Sequence, residues 1–171
     1  MNELTHLVTD VPDFPMRGIV FRDITPLLLD PAALRLVIER FVEIYGGRGI
    51  ERVAAIESRG FIFGAPLALA LDAGLAPVRK LGKLPRRTVR KEYNLEYGTN
   101  QLEMHVDAIE PGQRVLIVDD VLATGGTARA TVQLVEELGG VVVGVAFLIE
   151  LASLEGRARL DGHEVVSLLS C

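Results

Sequence analysis

The sequence predicts an α/β fold, a single domain in which helices flank a central, mostly parallel sheet. Short apolar segments rich in β-branched residues alternate with segments whose apolar residues recur at helical spacing. Residues 53–56, 115–118 and 141–149 are almost entirely apolar, which is typical of strands buried on both faces of a parallel sheet. A length of 171 residues suits one domain with a sizeable core.

The amino-terminal part is expected to be irregular or hairpin-like rather than a long helix. Residues 10–24 contain turn formers and aromatic residues, namely Pro12, Phe14, Pro15, Gly18 and Phe21. The first helix is predicted to begin at Asp30-Pro31, because aspartate caps helices and proline is tolerated in the first turn. Its apolar stripe consists of Leu34, Val37, Ile38, Phe41 and Ile44.

Strands and helices alternate through the rest of the chain. Apolar runs predict strands over residues 53–56, 76–80, 115–118, 141–149 and 164–169, with a further possible strand over 102–106. Helical spacing predicts helices over 65–73 and 128–138, and a short one over 153–160. Strands joined through helices form right-handed crossovers, so the sheet is predicted to be parallel.

The segment that follows the strand at 76–80 carries an unusual density of positive charge. Six basic residues fall within twelve positions, namely Lys80, Lys83, Arg86, Arg87, Arg90 and Lys91. So long an irregular connection in a compact domain is usually functional or disordered. We therefore predict a flexible loop over residues 81–100, with a plain solvated basic loop as the alternative.

Residues 115–127 carry the strongest functional pattern in the chain. A buried strand ends in Asp119 and Asp120, and a run of small residues then leads into a helix, namely Ala123, Thr124, Gly125, Gly126 and Thr127. The free N–H groups at a helix amino terminus bind phosphate, and glycine lets the anion approach the backbone. The two carboxylates would repel a phosphate, but they can accept hydrogen bonds from vicinal hydroxyls such as those of a ribose. The alternative is an ordinary turn with two solvated carboxylates.

A second loop of the same type follows the strand at 53–56. Residues 57–64 bear glycines, open a helix and contain Arg59, a combination suited to a diphosphate. An ionised diphosphate beside Asp119 and Asp120 calls for Mg²⁺. Because the sequence offers no dedicated metal cage, this ion is expected to arrive with the substrate and most of its waters.

Composition and charge exclude several other classes of protein. The net charge of −5 argues against a nucleic-acid-binding surface. The amino terminus does not resemble a signal peptide, and the apolar runs are too short to cross a membrane. Cys171 is the one cysteine, which fits a reducing, cytoplasmic location.

Residues 115–127 resemble the 5-phosphoribosyl-1-pyrophosphate (PRPP) motif of type I phosphoribosyltransferases. Further segments are similar to the adenine-specific members of that family, namely 13–15, 18–24, 57–61, 79–85 and 95–98. The resemblance covers nearly the whole chain and implies transfer of the 5-phosphoribosyl group from PRPP to adenine, giving AMP and pyrophosphate in purine salvage. It also implies a small amino-terminal hood over residues 1–30, a catalytic loop over 81–100, bound Mg²⁺ and a homodimer.

The resemblance assigns roles to individual residues. It places the ribose hydroxyls on Asp119 and Asp120 and the 5′-phosphate on 123–127. It assigns binding of the pyrophosphate to Ser58, Arg59, Lys80 and Lys83. Main-chain groups of Val20 and Arg22 would read the adenine edge, and Phe21 and Leu151 would enclose its faces, although without the resemblance the sequence favours plain core packing for those two side chains. Catalysis is assigned to Glu96, Arg59 and Tyr97, with Glu96 a candidate base, and a non-proline cis peptide bond is implied near Ser58-Arg59.

Two alternatives remain open on sequence alone. The nearest is a phosphoribosyltransferase for a 6-oxopurine such as xanthine. The other is a regulatory protein that binds PRPP without reacting, although such proteins usually append a DNA-binding helical domain.

Overall fold

The computed structural model describes residues 3–94 and 99–171. Its centre is a seven-stranded sheet in the order β5-β6-β4-β3-β7-β8-β9. The strands are β3 (Arg52–Ile56), β4 (Gly74–Lys80), β5 (Thr88–Asn94), β6 (Thr99–His105), β7 (Arg114–Leu122), β8 (Val141–Glu150) and β9 (Val165–Ser170). All pairs between β4 and β9 are parallel, whereas β6 pairs antiparallel with both β4 and β5. The predicted mostly parallel sheet is thus confirmed.

Four helices accompany the sheet in the described part of the chain. They are α1 (Thr25–Leu29), α2 (Pro31–Tyr45), α3 (Gly60–Ala70) and α4 (Gly126–Glu137). The predicted cap of α2 is confirmed, because the Asp30 carboxylate accepts hydrogen bonds from the N–H groups of Ala32 and Ala33. Helix α1 was not predicted, since it is a single short turn that directly precedes Asp30.

The amino-terminal segment forms a two-stranded antiparallel hairpin of β1 (Thr9–Pro12) and β2 (Val20–Asp23). This matches the hairpin-like chain that the proline and glycine positions indicate. Phe14 and Phe21 pack edge to face at its end, with ring centroids 5.2 Å apart. The hairpin forms a two-stranded sheet of its own and does not pair with the central sheet.

Two hydrophobic clusters lie on opposite faces of the sheet. One lies under α2 and α3 and includes Phe41, Phe63 and Leu116. The other lies under α4 and includes Ile117, Val132 and Phe147. Strand β7 contributes Leu116 to one cluster and Ile117 to the other, so it is buried on both faces and its carboxyl end is held firmly.

The connection expected to be irregular over residues 81–100 contains regular structure at 88–94 and from 99 onwards. Strand β5 pairs with β6 from Thr88–His105 to Asn94–Thr99, which extends the sheet beyond β4. The sequence hides this pairing because charged residues interrupt the apolar residues of β5. The predicted flexibility is not tested by the paired strands, and residues 95–98 lie outside the described residues.

The chain between β8 and β9 also differs in detail from the prediction. Instead of one short helix, it forms two 3₁₀ helices, Ala152–Leu154 and Gly156–Leu160. Glu155 separates them with a positive φ of 51°. This break allows Gly156 to pack against the loop that follows β7, as described below.

Candidate active site

The carboxylate pair lies at the carboxyl end of β7, where a parallel sheet binds its ligands. Asp120 is buried, with 5% of its surface exposed, and its N–H donates to Asp119 Oδ1 at 2.9 Å. Burial and the neighbouring Asp120 charge together raise the pKa of Asp119 well above its usual value. Part of Asp119 nonetheless reaches the surface of the adjoining pocket. The pair is therefore an electronegative site poised for hydroxyl donors or a cation.

The predicted phosphate loop forms one pocket with the first of these carboxylates. Asp119 lines it together with Ala123, Thr124, Gly125, Gly126 and Thr127, all of which sequence analysis assigned to one site. The loop leads into the amino terminus of α4, whose free N–H groups and dipole favour an anion. Its backbone is thus arranged as a phosphate cradle.

Two glycines make the shape of this loop possible. Gly125 caps α4 with a φ of 80°, and a Cβ placed there would lie 2.4 Å from the carbonyl oxygen of Gly156. In return, a Cβ on Gly156 would lie 2.2 Å from the carbonyl oxygen of Ala123. The 3₁₀ helix that contains Gly156 therefore supports the phosphate loop from behind. Sequence analysis missed Gly156, because no local pattern indicates a contact across the sheet.

The second predicted loop adjoins the carboxylate pair directly. It connects β3 to α3, and its Glu57–Ser58 peptide bond is cis, at the place where the family resemblance implied such a bond. A Cβ on Gly60 would lie 2.9 Å from the carbonyl oxygen of Val118 and 3.0 Å from Asp119 Oδ1. Only glycine therefore allows this loop to approach β7 so closely.

Arg59 connects this loop to both the carboxylates and the hairpin. Its Nε lies 2.7 Å from Asp120 Oδ2, without the alignment of a regular hydrogen bond. Its guanidinium carbon lies 4.8 Å from the centre of the Phe21 ring, a cation–π contact. Sequence analysis assigned Arg59 and Phe21 to different subsites, and in the structure these two side chains are in contact.

The other predicted base-pocket residues face a neighbouring cavity. Val20, Arg22 and Leu151 line a space of about 690 Å³ between the hairpin and the end of β8. Side chains alternate along a strand, so Phe21 points away from its neighbours and towards Arg59. An ion pair between Arg22 and Asp10 fixes this part of the hairpin. The enclosure of a base between Phe21 and Leu151 stays a prediction.

Lys80 and Lys83 lie at the end of β4 and in the turn that follows it. Both are exposed, and within the described residues neither ammonium group takes part in an ion pair. Arg79 lies between them and the second loop, because its Nε donates to Glu57 Oε2 at 3.0 Å. The same carboxylate oxygen accepts the N–H of Lys80 at 3.0 Å. The two loops assigned to pyrophosphate are therefore physically connected.

Three of the four remaining basic residues of the segment are less available to a ligand than expected. Arg86 pairs with Asp107, Lys91 Nζ lies 2.6 Å from Glu137, and Arg90 Nε lies 3.7 Å from Glu103. Arg87 is exposed, and within the described residues no ion pair involves it. Lys80, Lys83 and Arg87 are thus better candidates than these three for contact with a diphosphate.

Tyr93 links this antiparallel pair to the phosphate loop, which sequence analysis did not foresee. It is buried on β5 against α4, and its hydroxyl interacts with the Thr127 side chain by hydrogen bonding. Burial raises the pKa of Tyr93, and the Thr127 hydrogen bond opposes this shift. The predicted catalytic residues Glu96 and Tyr97, three and four positions further on, lie outside the described residues.

Two broader features concern the described ranges 3–94 and 99–171. They contain no cluster of three or more His, Cys, Asp or Glu side chains that could hold a metal ion. They also contain no helix that is long and apolar enough to span a membrane.

Comparison with known proteins identifies the family. Residues 26–169 match the phosphoribosyl transferase domain family. The chain is 57% identical over 167 residues to the adenine phosphoribosyltransferase of Thermotoga maritima, covering 98% of this chain and 96% of that protein. The adenine phosphoribosyltransferase structure from Thermoanaerobacter pseudethanolicus superposes with a TM-score of 0.96 at 52% identity, covering 99% of this chain and 98% of that one.

A more distant relative was solved with ligands bound. The Saccharomyces cerevisiae adenine phosphoribosyltransferase, in complex with adenine and an iminoaltritol bisphosphate, superposes with a TM-score of 0.93. It is 40% identical, and the match covers 98% of this chain and 97% of that one. From these matches the chain belongs to the phosphoribosyltransferase family and, within it, to the adenine phosphoribosyltransferases.

Proposed function

We infer that this protein transfers the 5-phosphoribosyl group of PRPP to adenine and forms AMP and pyrophosphate. The observation that carries this inference is the junction of a phosphate loop, a carboxylate pair and Arg59 at the end of β7. These groups match the phosphate, the hydroxyls and the diphosphate of one substrate. The yeast relative, which carries adenine and a bisphosphate in its structure, supports the same pairing of ligands.

The sugar end of PRPP fits the first pocket. Backbone N–H groups of residues 123–127 and the hydroxyls of Thr124 and Thr127 bind the 5′-phosphate. Asp119 and Asp120 accept hydrogen bonds from the two ribose hydroxyls. Anchoring both ends of the sugar fixes C1′ relative to the incoming base, and such positioning contributes up to ~7–11 kcal/mol in model reactions.

The diphosphate of PRPP is bound by Ser58, Arg59, Lys80 and Lys83. Arg59 already lies against Asp120, so binding of the diphosphate gives its guanidinium a second, more highly charged partner. The two lysines come from the neighbouring turn, which the Arg79–Glu57 contact holds against the Ser58 loop. Cationic groups from two loops thus converge on the leaving group.

The base is bound between the amino-terminal hairpin and the end of β8. Main-chain groups of Val20 and Arg22 read its edge, while Phe21 and Leu151 pack against its faces. The contact between Phe21 and Arg59 supports this arrangement, because a base that attacks C1′ must lie next to the diphosphate.

The reaction is a displacement at C1′. Adenine N9 forms a bond to C1′, the bond from C1′ to the diphosphate oxygen breaks, and its electron pair leaves with the diphosphate. The N9 proton passes to a base, for which Glu96 is the candidate, and Tyr97 closes over the reacting atoms. The carboxylates Asp119 and Asp120 stabilise positive charge that develops on the ribose.

Mg²⁺ fits this site as an ion carried by the substrate. Asp119 and Asp120 offer carboxylate oxygens at one end of the pocket. Burial raises the pKa of Asp119 and so favours its protonated form, whereas a nearby cation would favour its ionised form. When bound, the ion neutralises charge on the diphosphate and its leaving oxygen. The diphosphate and water would supply most of its ligands, and the charges of Asp119 and Asp120 would favour its presence nearby.

The protein is proposed to act as a cytoplasmic homodimer. The homodimer is what the family resemblance implies, and Leu29 and Leu69, which are 83% and 85% exposed, are available to a partner surface. The exposed thiol of Cys171 is compatible with a reducing compartment. Light scattering coupled to size-exclusion chromatography tests the dimer, and a monomer at micromolar concentration would contradict it.

The function is tested by following AMP formation from adenine and PRPP with Mg²⁺ in a spectrophotometric assay. Hypoxanthine, guanine and xanthine serve as competing bases under the same conditions. Turnover confined to adenine supports the proposal. Preferred turnover of an oxopurine would identify the other branch of the family, and binding of PRPP without turnover of any base would indicate a regulatory protein.

A further inference from the structure

We propose that Glu103 is a positioning residue for the diphosphate, acting through the turn that carries Lys80 and Lys83. This inference rests on the proposed function, since it concerns the diphosphate site of that reaction. Glu103 lies on β6 and touches no part of the 5′-phosphate pocket. Its role is to hold the backbone that presents the two lysines.

The carboxylate of Glu103 is almost completely enclosed. Its residue is 1% exposed, and Oε1 accepts the N–H groups of Lys83 and Leu84, each at 2.9 Å. The other oxygen, Oε2, accepts the Thr88 hydroxyl at 3.2 Å and lies 3.7 Å from Arg90 Nε. Both oxygens of this buried carboxylate are therefore in contact with residues of the segment 83–90.

The start and the end of the turn are held by different groups. At its start, the N–H of Lys80 donates to Glu57 Oε2 at 3.0 Å and the N–H of Leu81 donates to the Gln101 carbonyl at 3.1 Å. The side chains from Lys80 to Lys83 are all exposed, so packing does not order the rest of the turn. Gly82 has a φ of 81°, and Lys83 N–H reaches the Lys80 carbonyl only at 3.3 Å. The two shorter, charge-assisted bonds to Glu103 are thus the strongest constraint on the backbone at Lys83 and Leu84.

The constraint extends to the other diphosphate loop. Arg79 donates through NH1 to the Lys83 carbonyl at 3.3 Å and through Nε to Glu57 at 3.0 Å. Glu57 directly precedes Ser58 and Arg59. A continuous chain of contacts therefore connects Glu103, through the turn and Arg79, to the loop that bears Arg59.

The charge of Glu103 is unsuited to direct binding of a diphosphate. A carboxylate repels an anion, so a residue placed here only by chance would weaken diphosphate binding. Burial raises the pKa of Glu103, but hydrogen bonds from Leu84, Lys83 and Thr88 outweigh it and hold the pKa below its usual value. The side chain is therefore ionised at neutral pH, and its favourable effect must come from the backbone that it orders.

Repulsion of the diphosphate by the Glu103 charge and ordering of the turn by Glu103 predict opposite changes in diphosphate affinity when Glu103 is replaced. The test uses the full-length protein and the variants Glu103→Ala, Glu103→Gln and Thr88→Val, with affinities for Mg²⁺-diphosphate and for AMP measured by calorimetry. AMP occupies the phosphate loop and base pocket but not the diphosphate turn. Thr88→Val is the matched control, because it removes a donor from Oε2 without altering the bonds to Lys83 and Leu84.

We expect Glu103→Ala to weaken diphosphate binding by about tenfold or more, since two charge-assisted bonds that order the turn are lost. AMP affinity should stay within about twofold. Glu103→Gln keeps a carbonyl oxygen for both N–H groups without the charge, so about threefold weakening is expected. Thr88→Val should stay within about twofold for both ligands. The KM for PRPP should rise with the diphosphate dissociation constant.

Three results would overturn the proposal. Increased diphosphate affinity in Glu103→Gln would show that repulsion by the charge dominates, and unchanged affinity would show that the charge-assisted bonds to the turn do not matter; this variant remains informative if Glu103→Ala does not fold. A parallel loss of AMP affinity in either variant would show that Glu103 supports the fold generally. Equal weakening in Thr88→Val would place the effect elsewhere in the segment. Failure of the wild-type protein to bind diphosphate would instead contradict the proposed function.

Discussion

Replacement of Gly125 by alanine tests whether the phosphate loop depends on its support by the 3₁₀ helix at Gly156. Gly125 has a φ of 80°, and its new Cβ would lie 2.4 Å from the Gly156 carbonyl oxygen. Gly112 provides a matched control, because it has a φ of 87° and open space where a Cβ would stand. It lies in the turn before β7, remote from the pocket. The two variants share a backbone penalty and differ in the steric clash.

The expected magnitudes follow from these two terms. A left-handed conformation costs an alanine ~1–2 kcal/mol, so both variants should lose about that much free energy of unfolding. Overpacking adds ~1–3 kcal/mol at Gly125, which gives a total loss of roughly 2–5 kcal/mol. The loop must also move away from Gly156. Loss of one charge-assisted hydrogen bond to the phosphate, worth ~1.5–3 kcal/mol, would weaken AMP binding by about 10- to 100-fold.

Denaturant unfolding measures the first quantity and calorimetric titration with AMP measures the second. The Gly112→Ala variant should bind AMP as the wild type does, despite its lower stability. If Gly125→Ala loses no more stability than Gly112→Ala and binds AMP equally well, the contact with Gly156 does not shape the phosphate loop. The argument from the close approach would then fail.

Three further results are expected. Asp120→Asn should lower kcat/KM for PRPP by ~100-fold or more, because it removes charge beside the ribose, while the Tm changes by only a few degrees; unaltered kinetics would remove Asp120 from the ribose site. Tyr93→Phe should raise the KM for PRPP and lower the free energy of unfolding by ~0.5–1.5 kcal/mol, because Thr127 loses its hydrogen-bond partner. A KM equal to that of the wild type would contradict a role of Tyr93 in positioning Thr127. The pKa of Glu103 is lowered in the folded state, so its ionisation stabilises the fold above the usual glutamate range and that stability is lost as the pH falls through its folded-state pKa. The difference in unfolding free energy between wild type and Glu103→Gln should therefore stay constant from pH ~7 down to the usual glutamate pKa of ~4.3 and narrow at lower pH, and a difference that stays constant below that pKa would refute it.

Local sequence patterns were sufficient for the central part of the fold. Strand β7 and helix α4 carry apolar residues at unambiguous periods, and the loop between them combines glycine with hydroxyl groups. Both features depend on residues close together in the chain. The same holds for the Asp30 cap of α2 and for the hairpin of β1 and β2.

The antiparallel pair of β5 and β6 could not be recognised in this way. Its basic residues resemble those of a solvated loop, and their partners lie far away, as Glu137 on α4 does for Lys91. Glu103 is hidden for a similar reason, since a glutamate between Leu102 and Met104 suggests an exposed face of a strand. In the structure all three are buried, because the turn at 83–84 covers the carboxylate. Such burial depends on tertiary contacts that no local pattern encodes.

The contact between Arg59 and Asp120 explains how one site can accommodate opposite charges before substrate arrives. A buried carboxylate without a partner is costly, and Arg59 Nε at 2.7 Å compensates Asp120. The contact is not aligned as a hydrogen bond, so Asp120 Oδ2 keeps an unused capacity to accept one. In the proposed function, PRPP would bring hydroxyl donors for Asp120 and a diphosphate for Arg59 in a single molecule. Each charge then gains a new partner as the substrate binds, whereas a ligand with only one of these groups would leave the other half of the pair unchanged. The site therefore favours the intact substrate over either of its fragments.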